Sequence, residues 1–144
     1  MNEIVVGIDR SETARRAAER AAELASALAT TLHLVMCIDR GQTVSVAVGG
    51  DQFRSDSLSE TDQFIDDVAR TLPHDTITRA AVVGDPAKVL VDEAKRLDAA
   101  MIVVGNRRVQ GAARVLGSIA SDVAKHAGCD VLIVNTASGA KSSG

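Results

Sequence analysis

Aromatic side chains are almost absent. Phe53 and Phe64 are the whole complement, with no Trp and no Tyr. Stacking on bases, a usual grip on single-stranded nucleic acid, is therefore poorly served. A basic excess is missing too. Sixteen Lys and Arg stand against nineteen Asp and Glu, for a net charge of −3, whereas phosphate neutralisation is what drives nucleic-acid binding. No apolar run approaches the roughly 18 residues of a membrane span. The opening Met1-Asn2-Glu3-Ile4-Val5-Val6 reads as a strand rather than as a signal peptide. Cysteine is scarce: Cys37 and Cys129 lie far apart without CxxC spacing. That predicts two reduced, partly buried thiols in a cytoplasmic protein. The first strand is not followed by GxGxxG, and GxxxxGK(S/T) occurs nowhere. The dinucleotide fingerprint and the P-loop are thereby excluded.

What is present is a chain of 144 residues with 23 Ala and 18 Val. That length suits one domain able to bury roughly 70% of the surface its unfolded chain exposes. Its core must be small and β-branched aliphatics packed at close range.

Apolar runs and helical periods alternate along the chain. Residues 3–8 form a short apolar run ending at Asp9, as expected of a strand covered on both faces. Residues 13–30 carry Ala14, Ala17, Ala18, Ala21, Leu24, Ala25 and Leu28 at helical spacing, with Ser11 as N-cap. Residues 31–38 read as a second strand ending at Asp39. The stretch 39–56 lacks a helical period and predicts a long loop, in which the alternation of Val44, Val46 and Val48 allows a short strand or partner-facing ribbon. Ser57-Leu58-Ser59-Glu60 matches a capping box and starts the second predicted helix, with Phe64, Ile65, Val68 and Leu72 on its apolar face and Pro73 beyond its end. A third strand covers 76–83. Gly84 turns the chain, Asp85 caps and Pro86 opens the third helix. Residues 100–104 make a fourth strand, 118–127 a fourth helix and 130–134 a fifth strand. The domain spans 1–136, and the small polar tail 137–144 is expected to be disordered.

This order predicts an α/β fold with a parallel sheet and helices on both faces, a doubly wound open sandwich. Ligands of such sheets sit at the carboxyl ends of the strands, where strand order reverses. Gly7–Ser11, Cys37–Asp39 and the connection beginning at Gly105 would line that crevice. The connection Gly105–Ser118 carries Gly105, Gly111 and Gly117 with Arg107, Arg108 and Arg114, and enters a helix at Gly117-Ser118. A helix start offers unpaired N–H groups and the positive end of a dipole. With a Ser118 hydroxyl and two arginines, these residues describe a phosphate cradle. A flexible loop with solvated arginines fits the same residues. Asp9 reads either as an acceptor for a ligand or as a cap for the next helix. Cys37 reads as a small core residue or a ligand neighbour. His33, His74 and His126 have no metal-ligand spacing and read as structural or solvated.

The chain resembles the universal stress proteins over about residues 3 to 135. The resemblance is carried by Ile4-Val-Val-Gly-Ile-Asp-Arg-Ser-Glu, Gly84-Asp85-Pro86, Met101-Ile-Val-Val-Gly-Asn-Arg, Leu116-Gly-Ser-Ile-Ala-Ser and Cys129-Asp-Val-Leu-Ile-Val. It implies a five-stranded sheet in the order 3-2-1-4-5 with four helices, and a homodimer paired through the edges of the fifth strands. It also implies, for the ATP-binding branch, a nucleotide over the strand ends. Carried over residue by residue, Gly7, Asp9 and Cys37 would border adenosine. Val104, Gly105, Arg107 and Arg108 would flank ribose and phosphates, and Gly117, Ser118 and Ile119 would hold phosphate oxygens. The branch's pattern is Gly, two residues, Gly, nine residues, Gly, then Ser or Thr. Here Arg108 stands at the second Gly, and only eight residues, Val109 to Leu116, follow before Gly117.

The expected function is that of an ATP-binding, regulatory stress-response module, with or without Mg²⁺, acting on a regulatory protein partner of unknown identity. Neither nucleic acid nor membrane is an expected partner. Any ATP hydrolysis would be slow and incidental. The alternative is a nucleotide-free dimeric interaction module of the same family, resting on the dimer edge and the 39–56 segment.

Overall fold

The computed structural model describes residues 2–38, 51–106, 109–110, 113–114 and 116–136, with backbone alone for 51–59, 109–110 and 113–114. The elements run β1 (Ile4–Ile8), α1 (Glu12–Leu28), β2 (Leu32–Ile38), α2 (Asp51–Thr71), β3 (Ile77–Val83), α3 (Pro86–Leu97), β4 (Met101–Asn106), β5 (Val109–Gln110), β6 (Ala113–Arg114), α4 (Ser118–His126) and β7 (Asp130–Asn135). Five parallel strands form one sheet in the order β3-β2-β1-β4-β7. This is the doubly wound α/β architecture expected, with β7 as its fifth parallel strand. Ile4 lies beside Leu32 on one flank and Met101 on the other, so strand order reverses between β1 and β4.

Each central strand feeds two apolar layers, which explains its unbroken hydrophobic run. Ile4, Val6, Ile8, Leu32, Leu34 and Val103 pack with the alanines of α1 and with Ile65 of α2. Val5, Val35, Ile102 and Val104 pack against Leu90 and Ala94 of α3 and Ala120 and Val123 of α4. Ala14, Ala17, Ala18, Ala21, Ala22 and Ala25 make the buried face of α1. Alanine loses no side-chain entropy on burial, and its small size draws the helix onto the sheet. The approach is closest at Gly105, where a Cβ would stand 2.8 Å from both Cγ2 and the carbonyl oxygen of Thr13. Glycine at this position is therefore required by the helix packing behind the strand. Gly7 likewise makes room for Leu90, whose methyls would meet a Cβ at 3.1 Å.

One expectation is corrected, and one connection gains structure. Helix α2 begins at Asp51, not at Ser57, so the Ser57–Glu60 box lies within a helix and part of the expected 39–56 loop is helical. Ser and Glu three apart are tolerated mid-helix, so the box marks a start only when something breaks the helix before it. The connection after β4 is not wholly irregular either. Val109 pairs with Arg114 and Gln110 with Ala113 in a two-stranded antiparallel ribbon, and strands of two residues are too short to show a period. Val44, Val46 and Val48, Arg107 and Arg108, and the tail 137–144 lie outside the described residues.

Candidate functional site

Three of the helices that follow the sheet strands, α1, α3 and α4, have described first turns, and these differ. In α1, Ser11 Oγ accepts from Ala14 N–H at 3.1 Å, and Asp9 Oδ1 accepts from Ser11 N–H at 2.7 Å. In α3, Asp85 Oδ2 accepts from Lys88 N–H at 3.2 Å, and Pro86 stands in the first turn with no N–H to satisfy. In α4 the N-cap is Gly117, which makes no side-chain cap bond, and its first turn carries no acidic residue. The orphan amides of that turn receive no cap from the N-cap side chain.

Asn106 fixes the position of this helix start. It ends β4 at only 3% exposure, and its Oδ1 accepts the Gly117 N–H at 2.8 Å. The bond ties the two ends of the connection together across eleven positions. The same bond takes the Gly117 amide out of the cradle. The amides left to an anion are those of Ser118, Ile119 and Ala120, since the helix's own bonds begin with Ser121 N–H donating to the Gly117 carbonyl. The sequence signals Asn106 only through its place between Gly105 and the arginines. The mouth is flanked by apolar side chains, with Leu116 at 47% and Ile119 at 43% exposure.

The far side of the crevice is acidic. Cys37, near the end of β2, lies with its Sγ 3.8 Å from the Pro86 carbonyl. Its thiol is pushed up to about 11, first by burial and then by Asp85 and Asp9. It is therefore an unreactive, half-buried side chain packed against the α3 layer. Parallel register sets Gly7 and Cys37 on adjacent strands and Val104 and Gly105 across β1. The described residues thus bring Gly7, Asp9, Cys37, Val104, Gly105, Gly117, Ser118 and Ile119 to one rim. Asp9 is engaged as a helix-start acceptor through one of its oxygens.

A second concavity, a groove of about 390 Å³ between α3 and α4, is lined by Asp85, Lys88, Asp92, Asp122 and His126. Lys88 is already paired with Asp92 at 3.1 Å, so carboxylates dominate and the groove repels phosphate. Among the described residues, no group of three His, Cys, Asp or Glu is placed to hold a metal ion. No helix is long and apolar enough to cross a membrane among them either.

Comparison with known proteins agrees with this geometry. A universal stress protein of Synechocystis sp. is 30% identical over 148 aligned positions, covering 92% of this chain and 96% of that protein. The crystal structure of a universal stress protein in complex with cAMP is 29% identical with a TM-score of 0.71, covering 94% of this chain and 98% of that one. The structure of a universal stress protein from Archaeoglobus fulgidus is 25% identical, also with a TM-score of 0.71, over 94% of this chain and 99% of that one. The sequence profile of the universal stress protein family matches residues 1–135, nearly the whole described fold, and the chain belongs to that family.

Proposed function

We propose that the chain binds an adenine nucleotide across the β1/β4 switch point and serves as a regulatory stress-response module. The observation that carries this reading is the uncapped start of α4, held in place by Asn106. It is supported by the relative solved with cAMP. The polarity of the crevice orients the ligand. Carboxylates at Asp9 and Asp85 disfavour phosphate at one end, so the base and ribose lie near Gly7, Asp9 and Cys37. The phosphates run toward the Ser118 and Ile119 amides, past Val104 and Gly105, with Arg107 and Arg108 as charge partners. ATP is the nucleotide we assign, and any Mg²⁺ would arrive on its phosphates.

We assign no catalytic step to this crevice. We also assign a homodimer to the open edge of β7. Val131, Leu132 and Ile133 are only half buried there, and an unpaired edge is a ready template for a second copy.

Thermal unfolding with and without ATP and Mg²⁺, AMP or cAMP tests the reading. A specific site at about a hundredfold excess over its dissociation constant adds about 2.7 kcal/mol of stability. Gly117→Val should remove that increment. No shift with any of the three, and no nucleotide released from freshly purified protein, would leave the nucleotide-free interaction module. That second reading is favoured by Arg108 at the family's second glycine and by the apolar pair Leu116 and Ile119 at the mouth.

A further inference from the structure

At the opposite end of the sheet, a line of polar side chains crosses an otherwise apolar layer. His33, on β2, is 5% exposed. Its Nε2 lies 2.8 Å from Glu93 Oε2 on α3, and its Nδ1 lies 2.6 Å from Thr78 Oγ1 on β3. Glu93 is gripped in turn by Arg96, whose Nε and Nη2 donate to its two oxygens at 2.7 and 3.0 Å.

The proton positions follow from this geometry. The bidentate Arg96 first, and His33 after it, hold the Glu93 carboxyl down to about 2. An ionised carboxylate only accepts hydrogen bonds. His33 Nε2 therefore carries a proton and donates it to Glu93. In the neutral ring Nδ1 is then an acceptor, and the Thr78 hydroxyl donates to it. Hydroxyl to imidazole to carboxylate is the order of groups that activates a nucleophile.

Stability is a weak account of the line: apolar residues of similar volume in place of a buried ion pair are often neutral or stabilising, because burying charge costs desolvation. The bond to the hydroxyl is only part-buried. β3 is an outer strand of the sheet, and Thr78 is exposed on it.

We propose that Thr78 is a nucleophilic acceptor for an activated acyl carbonyl, such as that of a thioester, with His33 as its general base and Glu93 and Arg96 as positioning residues. Thr78 Oγ1 bonds to the carbonyl carbon as its proton passes to His33 Nδ1. The tetrahedral adduct collapses, the bond to the leaving thiolate or alkoxide breaks, and that group takes the proton back from His33. The products are a Thr78 ester and a free thiol or alcohol, with His33 neutral again.

The test uses the full chain and p-nitrophenyl acetate, followed by peptide mass mapping. Hydroxylamine removes an acetyl from a threonyl ester and leaves a lysyl amide intact. The expected result is a hydroxylamine-sensitive acetyl on Thr78, formed about 10²-fold faster than on the exposed Thr71. Thr78→Val, a conservative change on an exposed strand position, should abolish it, and Thr78→Ser should keep it. Glu93→Gln should slow it about tenfold while Thr71 labelling stays constant. Acetylation of Thr78 no faster than of Thr71, or a hydroxylamine-sensitive acetyl that forms undiminished in Thr78→Val, overturns the proposal.

Discussion

The first turns of α1 and α3 are closed by their own side chains, while the first turn of α4 is left open. All three helices start on the same rim, follow strands of the same sheet and pack on the same core. What separates them is one position: Ser11 and Asp85 carry an oxygen where Gly117 carries nothing. A capped helix start has spent its amides internally. An uncapped one keeps them for something from outside, and pays in local stability. Among the described first turns, the difference is why we place the anion at α4 rather than at α1 or α3, although their helix dipoles point the same way.

The comparison is broken most completely by giving α4 the cap that its neighbours have. Gly117 sits at φ −69° and ψ 165°, a conformation that aspartate adopts without strain. Gly117→Asp should therefore fold, and should gain up to about 1 kcal/mol of stability without ligand. Its carboxylate would occupy the open amides and repel phosphate. The nucleotide increment of about 2.7 kcal/mol should vanish in a thermal titration. A variant that is stabilised yet still shifts with ATP would show that the phosphates lie elsewhere.

The next largest effect should come from Asn106. Asn106→Leu keeps the volume but leaves the part-buried Gly117 N–H without its acceptor, a loss of about 1 kcal/mol or somewhat more. It also frees the far end of the connection, so nucleotide affinity should fall along with the midpoint of urea unfolding. Calorimetric titration beside the unfolding curve separates the two losses. Ser11→Ala is the matching change on a closed helix. It should cost about 1 kcal/mol, and the nucleotide increment should shrink far less than in Gly117→Asp.

The closed starts were legible in the sequence and the open one only in outline. Ser11, Asp85 and Pro86 act within their own turn, so the local pattern is the structure. The alternation of apolar runs and helical periods likewise gives the parallel sheet, because each central strand is covered on both faces. Strand order came from family resemblance, since crossovers leave no mark on local pattern. The clamp at Asn106 depends on a partner eleven positions away, and the Thr78–His33–Glu93 line joins residues 45 and 60 positions apart. No spacing rule reaches that far, and His33 read as merely structural for that reason. The start of α2 departs from the pattern for the opposite cause: Ser57–Glu60 is a valid local cue, but no helix breaker stands between Asp51 and Ser57.

The smallest effect concerns the other ends of the same helices. Both α1 and α3 stop on a residue in the left-handed region, Ala29 at φ 54° and Asp98 at φ 52°. In each, the cap N–H reaches back into the last turn, from Ala29 to Ala25 and Ser26 and from Asp98 to Ala94 and Lys95. A Cβ costs about 1–2 kcal/mol in this conformation, less for aspartate, whose short polar side chain bonds locally. Part of that cost is offset by the freedom an alanine denies the unfolded chain relative to glycine. Ala29→Gly should therefore stabilise the protein by roughly 0.5–1 kcal/mol, and Asp98→Gly by less. α1 also has no basic residue in its last turn, whereas α3 has Lys95 and Arg96 to complement its dipole, so α1 has more to gain from a better stop. Neither change touches the rim where the nucleotide is assigned. A rise in the melting temperature of Ala29→Gly with an unaltered ATP increment would show that the stop of α1 bears on stability alone and that the ligand reads the opposite end of the helices.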